Sequence, residues 1–492
     1  MQESVEQLDP TSELTTEAVK IRAVKGAAIL TGRNVLMQGI SFFSTALLTV
    51  FLLPSEFGVF FLVSAVKNLL AYFGDIGFAA SLIQKKEKLT DIELRTVFTV
   101  QQILIFIIFM LVFLLTPSLQ NIYSLNQEAI YLLWALTLSL FFSSLKTIPT
   151  VLMERKLEFN KWIIPQIIET VIFNVTAVFL AWIGFGVTSF TAAVLLSGFF
   201  GLVVTYIVSP WFPKIAFSPQ AFKSVLKFGV PYQANTLLAM VKDDGMTLFL
   251  GSILGSSGIG LLGWAQKWAY APLRFFMDQV IKVTFPAFSR LQDNKKELSD
   301  LVSKSIFFIC LLVFPSLTLL VLTAPSLIEI IPRYSKWSPA LFALSILTIT
   351  SGLAAVTTPL TNTLNAIGKI SLTFKLMIMW TSLTWILVPP LAWLFGINGA
   401  AFGFTLVGLS SFIALYLVSK YVDINYWQSV GKPLLASALM GFCVFFAGNI
   451  FPVSLFQVVV MVIAGFIFYS LMIFLLEPGL VPKILNQFKK KK

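Results

Sequence analysis

Residues 49–70 read TVFLLPSEFGVFFLVSAVKNLL. Two apolar arms meet at Pro54-Ser55-Glu56, and each runs on into an apolar stretch able to cross a bilayer, which takes about 20 residues. Proline beside short polar residues punctuates such runs, so the segment reads as a helical hairpin with its turn at the membrane surface. A lysine, Lys67, stands inside the second arm. Two hundred residues later comes LFLGSILGSSGIGLLGWAQKWAY (248–270), with the same layout. Aligning Gly58 with Gly258 places Lys67 on Lys267. Downstream, KKEKLTD (85–91) is echoed by NKKELSD (294–300).

The rest of the chain is of the same kind. Of its 492 residues 57% are hydrophobic and only 12% charged, well below the quarter usual in soluble domains. The apolar runs are too long and too uniformly apolar for the alternating strands of a membrane β-barrel, so the expected class is an all-α polytopic membrane protein. Proline, glycine and charge clusters divide it into about fourteen transmembrane helices. They fall near 27–53, 57–83, 95–116, 127–149, 162–184, 187–208, 228–252, 258–288, 304–323, 340–366, 370–394, 398–419, 433–450 and 455–476. The repeat then groups them into two six-helix lobes around a central cavity, 26–209 and 225–420, with two extra spans at 433–476. Lobes in parallel orientation are one of the transporter architectures. Polar residues 1–25 and basic residues 477–492 form tails.

Lys and Arg fix the orientation. With the N-terminus inside, QKKEKLTDIELR, MERKLEFNK, KIAFSPQAFKSVLK and RLQDNKKELSD are cytoplasmic, and only Arg333 and Lys336 lie on the outer side. Both termini are expected in the cytoplasm. The net charge of +12 is then mainly a topology signal, with no basic soluble domain to serve nucleic acid. The N-terminus lacks the basic start and short apolar core of a signal peptide. The chain has no histidine and two cysteines, Cys310 and Cys443, both in apolar runs. His/Cys metal centres, Ser–His triads and disulfide frameworks are excluded, and no phosphate-binding GxxxxGK[ST] loop occurs.

Charges inside spans are costly and mark pathways or partners. Those singled out are Arg33, Lys67, Asp75, Glu169, Lys242, Asp243, Asp244, Lys267, Arg274, Asp278 and Lys282. All but Glu169 belong to spans 1, 2, 7 and 8, six cations against four acids. At 100° per residue Arg274 and Asp278 lie about 20° to either side of Lys267, and Lys282 about 60° away, so they make one stripe. Arg274 and Asp278 have the spacing to pair, and Pro272 is placed to kink the helix. Lys242, Asp243 and Asp244 fan around their helix, so one of them is expected to pair across to a neighbour, with Lys67 or Lys267 as candidates. These charges read either as ion pairs between helices or as the lining of a cavity that attracts an anion. In the second reading Arg33, Lys67, Lys242, Lys267 and Arg274 face the substrate, and Asp75, Asp243, Asp244 and Asp278 serve as charge partners or ion-coupling sites. Arg33 and Lys282 are equally placed to reach the headgroups. Trp264, Trp268 and Tyr270 fit the interfacial aromatic belt or a sugar-stacking surface.

The blocks LAYFGDIGFAASLIQKKEKL, LMERKLEFNK, VTFPAFSRLQDNKKEL and GINGAAFGFTLV resemble those of Wzx-type polysaccharide exporters, especially the colanic acid and teichuronic acid branch. That family shares a superfamily with multidrug-and-toxin exporters and the lipid II flippase. The resemblance extends over about residues 26–480. It implies a V-shaped central cavity and a non-enzymatic flippase of the bacterial inner membrane. Its cargo would be undecaprenyl-pyrophosphate-linked oligosaccharide, moved from the inner to the outer leaflet by alternating access. The cavity cations would meet pyrophosphate or acidic sugars, and released units would pass to polymerase machinery for lipopolysaccharide or exopolysaccharide. No bound cofactor is expected, and a proton or sodium ion would be the coupling ion, as in an antiporter. The competing readings are a multidrug exporter of the same fold and a membrane polysaccharide polymerase. Cationic drugs would not suit a cationic cavity, and a polymerase would need a large outer loop, which the spans leave no room for.

Overall fold

In a computed structural model describing residues 16–85 and 87–479, every regular element is helical. In chain order these are α1 (Thr16–Phe51), α2 (Pro54–Gly74), α3 (Phe78–Gln84), α4 (Asp91–Tyr123), α5 (Gln127–Arg155), α6 (Phe159–Ile183), α7 (Thr188–Val208) and α8 (Pro219–Met240). A π-helical turn (Val241–Gly245) joins α8 to α9 (Met246–Arg290). Then come α10 (Lys295–Ile330), α11 (Leu341–Ala366), α12 (Ile370–Leu409), α13 (Ser411–Ser419), α14 (Lys432–Gly448) and α15 (Leu455–Leu476).

Among the described residues, twelve continuous helical segments are long and apolar enough to span a bilayer, and two of them are 54 and 50 residues long. At 1.5 Å per residue the longer would reach about 80 Å, far beyond a hydrocarbon core of about 30 Å. Each is broken by a glycine with positive φ: Gly255 (φ 66°, ψ 179°) in α9 and Gly396 (φ 60°, ψ −141°) in α12. Divided there, the segments make the fourteen expected spans. The break in α9 is at Gly255, and the helix continues through Pro272, which was the expected kink. A proline removes one donor, and neighbouring turns can absorb that loss; a residue near φ 66°, ψ 179° cannot continue a helix at all.

Two other expectations are revised. The tail 1–25 is already helical from Thr16, while residues 1–15, like 480–492 of the basic tail, lie outside the described residues. The second span, expected as 57–83, breaks after Gly74. Asp75 ends α2, and its Oδ1 accepts from Ala79 N at 3.4 Å, so it also caps the start of α3. Gly77 makes the turn with φ 77°.

Contacts divide the chain into two compact units, one ending at Gly260 and one beginning at Leu261. In the first, α5 packs against α2, α4, α6 and α7, and α8 rests on α3 and α4. Phe78, Leu82, Val97, Phe98, Ile148 and Val225 are buried together there. Arg155 is buried and donates to the carbonyls of Leu82 (2.8 Å), Lys85 (2.8 Å) and Glu87 (3.0 Å), closing the end of α3. The arginine of the MERK block is thus a structural clamp. In the second unit α10 is the hub for α11, α14 and α15, and Tyr469 Oη on α15 donates to Leu311 O at 2.8 Å. Large apolar side chains such as Phe106, Leu114, Phe442 and Phe466 remain exposed along the spans. A water-soluble surface would not carry such a belt, and lipid accounts for it.

Candidate functional site

Two polar clusters stand out among the described residues of the first unit. In one, the π turn carries Lys242, Asp243 and Asp244 opposite α2. An extra residue per turn rotates these side chains away from their α-helical directions, and such turns recur at functional positions. Lys242 pairs with its chain neighbour Asp243, while Asp244 Oδ1 accepts from Asn68 Nδ2 on α2 at 3.0 Å. The expected cross-helix partner therefore exists, but it is an amide. Lys67, one residue earlier, lies within electrostatic reach of Asp244 and forms no ion pair among the described residues. Tyr72 Oη, one turn on, donates to Gln233 O of α8 at 3.3 Å.

The other cluster surrounds a cavity of about 270 Å³ whose lining includes Asp75, Lys146, Glu154, Trp162, Gln166 and Glu169. Lys146 of α5 pairs directly with Glu169 of α6. Glu169, the outlier of the sequence, is thus held by a cation in the neighbouring helix. Arg33 lies over the Trp162 ring, 5.3 Å from its centroid, so α1 braces that wall of α6. Lys146, Glu154, Trp162, Gln166 and Asn68 were not picked out from the sequence. Lys146 and Glu154 sit near the basic end of their span and merge with it by composition. The available signal was Glu169, a lone acid in an apolar run that required a cation nearby.

In the second unit the stripe on α9 forms as expected. Lys267, Arg274 and Lys282 are exposed and Asp278 half-buried, while Leu262, Ala265, Ala269 and Leu273 on the opposite side are buried. Helical periodicity thus turns the apolar face into the unit and leaves the cations uncovered. Arg274 and Asp278 form no ion pair among the described residues, despite their spacing. Trp264 is buried and stacked on Trp337 (centroids 5.3 Å apart, 13° between planes) with Tyr334 edge-on. It is a packing residue, neither part of the membrane-surface belt nor free to stack on sugar.

The fold and sequence both have known counterparts. A lipid II flippase structure, MurJ in an inward closed conformation, superposes with a TM-score of 0.74 at 16% identity, covering 91% of this chain and 100% of that one. An inward-facing multidrug resistance MATE transporter gives 0.63 over 78% of this chain and 94% of its own. The succinoglycan biosynthesis transport protein ExoT of Rhizobium meliloti is 23% identical over 470 residues, 92% of this chain and 93% of that protein. The lipopolysaccharide biosynthesis protein WzxC of Escherichia coli is 24% identical over 415 residues, covering 82% of this chain and 81% of its own. The polysaccharide biosynthesis protein family matches residues 47–341, which take in both hairpins, the π turn and the charged stripe. With well over half its length inside that match, this many-helix membrane chain belongs to the polysaccharide biosynthesis protein family.

Proposed function

We propose that the protein is a flippase for undecaprenyl-pyrophosphate-linked oligosaccharide, working by alternating access in the bacterial inner membrane. It would carry repeat units from the cytoplasmic to the outer leaflet for surface polysaccharide assembly. The observation that carries this reading is the pair of exposed cations Lys267 and Arg274 on one side of α9, whose opposite side is buried. Exposed cations are expensive in hydrocarbon and well suited to a diphosphate. Lys67, their repeat counterpart, has no ion pair among the described residues and supports the same role. Arg33 and Lys242 are engaged within the first unit, which gives them supporting places in this reading. Asp75, Asp243, Asp244 and Asp278 are the candidates for proton or sodium coupling. The family match and the named relatives support transport in polysaccharide synthesis over a polymerase.

The test is reconstitution in proteoliposomes with an undecaprenyl-pyrophosphate glycan, scored by access of an external glycosidase. The native protein should raise outward transfer, and Lys67→Gln, Lys267→Gln and Arg274→Gln should each lower it at least tenfold. Movement of cationic dyes with no transfer of the glycan would instead identify a drug exporter.

A further inference from the structure

In the flippase reading the stripe would meet the diphosphate, and of the residues around the cavity of the first unit only Asp75 is given a part. We propose that this cavity is a binding subsite for a single neutral or amino-substituted pyranose ring of the transported glycan, which rests on the flippase reading above. Three features of the cavity point to a sugar.

Its volume, about 270 Å³, equals roughly nine waters of liquid. That accommodates one sugar ring.

Its lining has the groups that bind hydroxyls. Asp75, Glu154 and Glu169 present carboxyl oxygens, Gln166 an amide, and Lys146 an ammonium shared with Glu169. Planar groups with two acceptors or a donor and an acceptor match the vicinal hydroxyls of a pyranose. Trp162 adds a flat apolar wall. The backing is rigid, because Arg33 lies over Trp162 and the Lys146–Glu169 pair joins α5 to α6.

The charge selects the sugar. Three carboxyl groups outnumber the two cations beside them, Lys146 paired with Glu169 and Arg33 over Trp162, so a uronate would add like charge to an acidic lining. A neutral, N-acetylated or amino sugar would not.

The experiment uses the full chain in lipid nanodiscs and saturation-transfer NMR. The probes are the methyl β-glycosides of glucose, galactose, N-acetylglucosamine and glucosamine, with methyl β-glucuronide for comparison. Saturation of ring protons is expected for at least one neutral or amino glycoside and not for the glucuronide. Trp162→Leu, which removes the flat wall, and Glu154→Gln, which is isosteric, should each weaken that response about tenfold. Both variants are checked for an unchanged melting temperature before titration. No saturation of any neutral or amino probe, equal responses in native and variant proteins, or a dominant glucuronide response would overturn the proposal. Binding of sugar-free undecaprenyl pyrophosphate is followed in the same particles by native mass spectrometry. Loss of that binding alone speaks against the flippase reading, whereas a bound carrier with silent glycosides defeats the sugar subsite alone.

Discussion

Lys146 and Glu169 show how one half-buried pair holds two helices in register. Their side chains are 16% and 29% exposed, between the surface pairs that contribute almost nothing and the buried ones whose halves cannot be removed cheaply. Lys146→Met should therefore cost about 2 kcal/mol by stranding Glu169. The double change Lys146→Met with Glu169→Met should recover most of it, as seen in thermal melts followed by tryptophan fluorescence. Gly201 on α7 has a role in this, because a Cβ there would fall 1.7 Å from Glu169 Oε1. Asp75 shows a side chain with two environments, capping α3 and lining the cavity. Its carboxyl could be placed in a span from the sequence, but the break that makes it a cap could not.

At the scale of elements, the close approach of α2 and α9 is set by absent side chains. A Cβ on Gly58 would come within 1.6 Å of Ser256 O, and one on Gly260 within 1.7 Å of Pro54 O. Helices in lipid gain their association from such close backbone packing, since tails are as apolar as the side chains they replace. Gly58→Ala must push the helices apart and should lower the melting temperature, at a cost of about 1–3 kcal/mol. Gly32→Ala meets no atom within 4 Å and should leave the melting temperature unchanged or slightly raised. Gly255→Ala tests the break itself. Its φ of 66° with ψ of 179° is open to glycine and strained for alanine by about 1–3 kcal/mol. A melting temperature unaffected by Gly58→Ala or Gly255→Ala would show that the turn and crossing are made differently.

Across the whole molecule, the basic connections predict one orientation, with Asn294 inside and Ser335 outside. In intact cells a membrane-impermeant maleimide should label Ser335→Cys and leave Asn294→Cys unlabelled until the membrane is opened. Reversed labelling would overturn the topology and the direction of transport with it. The buried Cys310 and half-buried Cys443 give the background to subtract.

The sequence by itself determined the helical membrane class, the fourteen spans and the stripe on α9. These follow from chain-local physics: the length of an apolar run against a bilayer and the 100° turn of a helix. Tertiary structure decided who faces whom. It put Asn68 rather than Lys67 on Asp244, Lys146 on Glu169, Arg33 over Trp162, and Trp264 against Trp337 instead of in the aromatic belt. It also placed Glu154 and Gln166 around one cavity with Asp75. Each of these joins separate helices or a break between them. Periodicity gives the direction of a side chain around its own axis, but the partner depends on which helix packs there and at what height, and that is settled only when the backbones meet.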